Sequence, residues 1–234
     1  MNMPLTTDTV LPLLGRYQML SQLQREMTID QAIADIGCTP EEVADARQQF
    51  CQQHQINTES ALENWLTDHY LTSEDLDILV VRSLRIEKFK QRTWEHHLES
   101  YFLKRKRQLD RLVYLLLRTR DPYLAQELYL RIQGNEQSFV DLARAYSQGS
   151  EAQTGGFVGP VEAGTLHPGM VQRLITSQPG ELLTPMRLGD WIVIVQLEKI
   201  IPAQLDMVMR QRLLNELFEN WLTEKVSDRL SQAA

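Results

Sequence analysis

Tyr146-Ser147-Gln148-Gly149-Ser150-Glu151-Ala152-Gln153-Thr154-Gly155-Gly156-Phe157-Val158-Gly159-Pro160 decides how the rest of the chain is read. A polar, Ser-rich turn runs into two adjacent glycines, an apolar pair and a further glycine. Glycine takes positive φ without steric cost and lets a backbone approach its neighbour closely, so such a segment is suited to wrapping around something. The stretch also lies at the sharpest change in composition. Of 20 Gly and Pro residues, 12 fall between Glu151 and Pro202, while the first 150 residues hold four glycines. Helix is therefore expected upstream and turn-rich structure downstream.

Upstream, apolar residues recur at helical spacing. Val10, Leu13, Leu14, Tyr17 and Leu20 read as one core-facing stripe. Thr39-Pro40-Glu41-Glu42 has the form of a capping box with proline at the first helical position, ahead of Val43, Ala46 and Phe50. Thr58 to Tyr70 places Leu62, Trp65 and Leu66 on one face, and Thr72-Ser73-Glu74-Asp75 opens a further helix through Leu76, Leu79 and Val80. A long helical stretch is expected from about Arg85 to Leu109, where there is no Gly or Pro.

The period then changes. Val113 to Arg118 is short, β-compatible and closed by Thr-Arg-Asp-Pro, which predicts a strand. Tyr123 to Ile132 is an amphipathic helix, and Ser138 starts another that carries Phe139, Leu142, Ala143 and Tyr146. The Gly-rich loop, a short helix at Met170 to Ile175, a Gln178-Pro179-Gly180-Glu181 turn and a central strand at Trp191 to Leu197 follow. Strand, helix, helix, loop, helix and strand describe an α+β module that returns beside its first strand. Gln204 to Gln232 then forms a long amphipathic helix with ridges Leu213, Leu217, Trp221 and Leu214, Phe218, Leu222. It is expected to pack on the N-terminal helices and complete an all-α domain, so the boundaries fall at 1–111, 112–201 and 202–234.

Bulk properties narrow the function. At 234 residues, with 43% hydrophobic and 24% charged residues, the composition is globular. The net charge of −7 hides a basic band: Arg82 to Arg111 holds ten Lys/Arg and four acidic residues, against 14 and 27 elsewhere. Such a band reads as a solvated or snorkelling helix face, with contact to an acidic partner as the alternative. No aromatic-interleaved basic motif points to nucleic acid. Cys38 and Cys51 make no disulfide framework or metal-ligand spacing. The N-terminal residues do not resemble a signal peptide, and no run approaches the ~18 apolar residues of a membrane span. A cytoplasmic location is therefore expected. His96 and His97 are adjacent and diverge by about 100° on a helix. His54 and His69 lack ligand partners at i+4. No metal or cofactor is expected, and no P-loop, G-x-S-x-G or dinucleotide fingerprint is present.

From about Leu112 to Ile200 the order of landmarks resembles a parvulin-type peptidyl-prolyl isomerase domain. These landmarks are Leu117-Arg118-Thr119, a Phe-x-x-Leu-Ala-x-x-Tyr-Ser segment at Phe139 to Ser147 and the Gly-Gly-x-x-Gly loop. Gly164-x-Leu166, Pro179-Gly180-Glu181 and a closing Leu197-Glu198-Lys199-Ile200 follow. The flanking helices resemble those of SurA- and PrsA-type chaperones, and the whole chain is similar to a group of cyanobacterial peptidylprolyl isomerases. This resemblance implies a small antiparallel sheet with helices, and an apolar cup that holds a proline ring above a polar pair of histidines with a neighbouring Cys or Asp.

Carried over by position, the resemblance puts Val158, Leu166 and Met170 in the cup. It puts Tyr114 and Val193 where histidines are usual, and Gly149 where a Cys or Asp is usual. Tyr114 and Met170 are then the candidate catalytic residues, and Val158, Leu166, Met170 and Val193 the candidate substrate-binding residues. Two readings follow. One is an isomerase or foldase of weak or altered activity acting on proline-containing polypeptides. The other is a catalytically degenerate parvulin serving as a chaperone or peptide-binding adaptor. His167, beside Leu166 and before a proline, reads as a surface residue.

Overall fold

The structure is a computed structural model that describes residues 7–232, with side chains described for 10–228. Five helices come first: α1 (Thr7–Arg16), α2 (Leu20–Ile33), α3 (Pro40–Gln53), α4 (Glu59–Asp68) and α5 (Ser73–Trp94). After a 3₁₀ turn come α6 (Leu98–Leu109), β1 (Arg111–Thr119), α7 (Pro122–Gln133), α8 (Phe139–Tyr146) and β2 (Phe157–Glu162). The chain continues through α9 (Pro168–Leu174), β3 (Leu182–Leu188), β4 (Trp191–Ile201) and α10 (Met207–Gln232). Compactness divides it into 1–98 with 207–234, and 99–206. Those lines stand beside the 111/112 and 201/202 boundaries read from the change of hydrophobic period.

In the helical unit, side-chain caps set several helix starts. Thr39 and Thr72 each accept a hydrogen bond from the N3 amide, while Glu42 and Asp75 reach back to the cap amide at 2.8 Å. Thr58 caps α4 in the simpler way. Each cap satisfies donors that the first helical turn leaves open, worth about 1 kcal/mol apiece. Ile29, Ile33 and Ile36 pack with Phe218 and Leu222 of α10, flanked by Phe89, Trp94 and Trp221. Part of the basic band is spent on partners within the helical unit. Arg82 binds Glu26 and Asp30, Lys88 binds Glu42, and buried Lys90 binds Glu87 and Asn215.

Two helical expectations need correction. The Val10 to Leu20 stripe is not one helix. Gln18 takes φ 59, which ends α1 and turns the chain before α2, so Val10, Tyr17 and Leu20 are exposed and only Leu13 and Leu14 are half-buried. The helix expected from Arg85 to Leu109 instead begins at Ser73 and breaks at Glu95–His97, where the ladder tightens into a 3₁₀ turn.

The second unit is α+β. Its four-stranded antiparallel sheet has the order β2-β1-β4-β3. β1 pairs along its whole length with β4, from Arg111 opposite Ile201 to Thr119 opposite Ile192. Side chains alternate between faces. Leu115 and Leu117 point with Ile194 into a core made by Leu128 and Ile132 of α7 and Phe139, Leu142 and Ala143 of α8. Leu112 and Tyr114 point the other way with Val193, Val195 and Leu197, under Met170 and Leu174 of α9. A sheet covered on both faces explains the almost unbroken apolar run of β1.

The sequence pattern showed only two of the four strands. β2 (FVGPVE) and β3 (LLTPMRL) contain Pro160 and Pro185, which mimic loop composition, yet both strands lie at sheet edges. An edge strand tolerates a residue without an N–H. The second half of the Gly-rich segment is thus a strand, entered through a 3₁₀ turn at Ser150–Thr154.

Gly159 sits at φ +119, and a Cβ there would lie 2.5 Å from the Leu112 carbonyl oxygen, beside the register shift in β1. Gly159→Ala is expected to destabilise the α+β unit by about 1–3 kcal/mol. Gly37→Ala, at a site with open space, should change stability by less than about 1 kcal/mol. In the helical unit, Leu222→Ala should cost about 2–5 kcal/mol, since Leu222 is fully buried. Urea denaturation of the full chain checks all three.

Candidate functional site

The face of the sheet under α9 collects the residues singled out from sequence. Tyr114 of β1 pairs with Val158 of β2, while Val193 of β4 lies opposite Arg118. Met170 packs from α9, and Leu166 comes from the turn before it. Tyr114, Val158, Leu166, Met170 and Val193 therefore share one apolar cluster. Their depths differ, however. Tyr114, Met170 and Val193 are 2%, 5% and 4% exposed, so they shape the cluster from below. Val158 and Leu166 are half-buried and reach its surface, as do Leu116, Met186 and Trp191.

Tyr114 is the one titratable group in that cluster. Burial, and then the negative charge of Glu151, raise its phenol above its ordinary value of 10.0. Its hydroxyl makes no hydrogen bond to another described residue.

Arg118 continues the alternation of Leu112, Tyr114 and Leu116 on this face and ends in a polar network that the sequence reading did not single out. Its Nε and Nη2 donate to the two carboxylate oxygens of Glu151 at 3.0 and 2.7 Å. Ser147 Oγ donates to Glu151 Oε1 at 2.6 Å and accepts from the Arg118 amide at 3.0 Å. The Gln148 amide donates to the Arg118 carbonyl at 2.9 Å, stitching the segment after α8 to the end of β1. Glu151 is the only buried acidic side chain among the described residues. Such a bidentate, charge-assisted pair is the form in which a buried carboxylate is best accommodated.

Gly149 makes this arrangement possible. A Cβ at position 149 would overlap the Arg118 guanidinium. Trp191 borders the network, with Arg118 Cζ 5.5 Å and Arg120 Cζ 4.8 Å from its ring centroid. One signal was present in the sequence: a charged residue inside an apolar strand needs a partner of opposite charge, and Glu151 stands in the loop that the fold returns to that strand.

The histidines lie elsewhere. His167 caps α9 by accepting from the Gly169 amide, and is exposed. His69 stacks on Trp65, and the rings of His96 and His97 lie 3.9 Å apart. Among the described residues there is no group of three or more His, Cys, Asp or Glu able to hold a metal ion.

An antiparallel β2-β1-β4-β3 sheet, helices on both faces and a Gly-rich segment leading into an apolar cluster make up the α+β unit. Residues 122–199 match the family model described as a PPIC-type PPIase (rotamase) domain, which begins just after the strand carrying Tyr114. The chain is 34% identical over 108 residues to the chaperone SurA of Bordetella pertussis and 33% identical over 108 residues to that of Bordetella parapertussis. Each match covers 46% of this chain and 21% of the relative, so the chain spans about a fifth of the length of these curated relatives. The fold is similar to that of the peptidylprolyl isomerase PrsA from Bacillus cereus, with a TM-score of 0.55 at 18% identity, covering 97% of this chain and 87% of that one. The match to the PPIC-type PPIase model thus lies within the α+β unit, and the likeness to SurA and PrsA is one of sequence over part of the chain and of fold.

Tyr114 gives a direct check on the site. Because folding raises its pKa, its contribution to stability is complete below about pH 10 and is lost as pH rises through the folded value. A phenolate absorbance titration of the folded chain should show a component above the ordinary tyrosine range. Tyr114→Phe should remove it, and its persistence would place the perturbed phenol elsewhere.

Proposed function

We propose that the chain is a parvulin-type peptidyl-prolyl isomerase or foldase that binds unfolded or extended, proline-containing polypeptide over the cluster of Tyr114, Val158, Leu166, Met170 and Val193. The supporting observation is the gathering of these five residues on one sheet face, where the Gly-rich segment enters β2. Rotation about an X–Pro bond crosses a barrier of about 18–20 kcal/mol that amide resonance sets. Val158, Leu166 and Trp191 offer an apolar surface that removes water from the proline ring, and water favours the planar, more polar amide. The Tyr114 hydroxyl offers a donor that persists near neutral pH. No nucleophile or bound group is needed for bond rotation.

A second reading is favoured by the absence of imidazole from this floor, where Tyr114, Gly149 and Val193 occupy the positions of the usual polar trio. In that reading the same surface holds an extended client without accelerating rotation. The cytoplasm is part of the proposal and rests on cysteine usage, since Cys38 and Cys51 are free. No described helix is long and apolar enough to cross a membrane, and no nucleic-acid partner is proposed.

Isomerisation of a panel of X–Pro peptides tests the first reading. Full-length protein should exceed the uncatalysed rate, and Leu166→Ser should lower kcat/KM by about tenfold, the equivalent of ~1.4 kcal/mol. Rates that stay at background for every peptide would overturn the isomerase. Suppression of aggregation of a proline-free unfolded client would then carry the second reading, and its absence would end that one as well.

A further inference from the structure

The Arg118–Glu151–Ser147 network has no assigned role, and its geometry leaves one edge of a guanidinium unused. Arginine offers five donors in a planar fork. Glu151 takes those of Nε and Nη2, while the Nη1 amine has no hydrogen-bond partner among the described residues. The Arg118 side chain remains 31% exposed, whereas that of Glu151 is 5% exposed. Arg118 therefore bridges a buried anchor and the surface of the apolar cluster, beside Val193 in register and Trp191 in ring contact.

We infer that Glu151 is a positioning residue for peptide binding: it fixes Arg118 so that Nη1 donates to a backbone carbonyl of a bound polypeptide at the edge of the apolar cup. This inference rests on the peptide-binding reading above and adds the group that orients the chain there. A free arginine side chain loses rotamer entropy when a ligand orders it. Here two carboxylate bonds, the Trp191 ring and the space left by Gly149 order it before any ligand arrives. Preorganisation of that kind increases affinity without a new contact.

The charge balance selects the ligand class. The Arg118–Glu151 pair is neutral as a unit, and a carboxylate or phosphate brought to Nη1 would meet the repulsion of Glu151, which already reaches Tyr114, as well as the pull of Arg120 beside Trp191. An uncharged carbonyl meets the same strong donor without that repulsion. The site is thus assigned to main-chain carbonyls, and its contribution should be independent of whether the residue before proline is acidic.

Binding of a capped, uncharged Ala-Ala-Pro-Phe peptide to the full chain, followed by NMR titration, tests this. Arg118→Met and Glu151→Ala should each weaken binding by about tenfold or more, the loss expected for one hydrogen bond from a charged donor. Gly149→Ala removes no charge but displaces the guanidinium, and should weaken binding in the same way. Arg118→Met/Glu151→Ala should bind no more weakly than Arg118→Met alone, because Glu151 acts only through Arg118; this double variant replaces both members of the pair and guards against a single variant that does not fold. Thermal melts confirm that each variant compared is folded.

Wild-type affinity in folded Arg118→Met and Gly149→Ala would overturn the inference and leave the peptide-binding reading standing. Failure of the wild-type chain to bind any X–Pro peptide would overturn both. A Glu-Pro or phosphoserine-Pro peptide that binds more than about tenfold tighter, with the advantage lost in Arg118→Met, would assign Nη1 to an anion and reject the carbonyl.

Discussion

The pairing of β1 with β4 is the constraint on which the α+β unit depends. It joins residues about 80 positions apart in the chain, so its loop-closure cost must be met by contacts that exist only once both strands are in place. Those contacts come from two cores at once. Leu115, Leu117 and Ile194 bury one face against α7 and α8, while Leu112, Tyr114, Val193 and Val195 bury the other against α9. A one-residue slip would exchange the faces and put Arg118 into the α7–α8 core. Register and site are consequently the same decision.

That coupling explains how a sheet this apolar holds a charged group. Arg118 is the polar end of an alternating face that otherwise reads Leu, Tyr, Leu, and the chain returns from α8 with the groups it needs. Ser147 bonds its amide and Glu151 its guanidinium, while Gly149 yields the volume that guanidinium occupies. Removing either charge alone would leave its partner half-desolvated, so the pair stands or falls together. Tyr114, Gly149 and Val193 supply no charge on this face, so the Arg118–Glu151–Ser147 network is its polar end.

The helical unit is organised by different physics. Its helix starts are set locally, by Thr39, Thr58 and Thr72. Its core is not local, because Phe218 and Leu222 arrive from the far end of the chain to cover Ile29 and Ile33. The insertion of one unit into the other follows from that placement of α10.

Much of this was legible in the residues. The Thr39 capping box, the helix start at Thr72, the α+β class, and β1 and β4 all rest on local chemistry or on a period that a single segment displays. The positions Tyr114, Val158, Leu166, Met170 and Val193 could be named, but that three of them are buried could not, since depth is set by α9 and the neighbouring strands. β2 and β3 were hidden because Pro160 and Pro185 suppress a strand signal that edge placement makes harmless. The exposed Val10, Tyr17 and Leu20 were misread because the left-handed turn at Gln18 leaves no mark in hydrophobic spacing.

By itself, then, the sequence determined where capped helices begin, that a helical part meets an α+β part and which family pattern it resembles, because those depend on neighbours within a few residues. The pairing of Arg118 with Glu151 across 33 positions and the room that Gly149 leaves for them were decided only by tertiary structure. A charge in a strand states that it needs a partner. Only the register of the sheet says which one it meets.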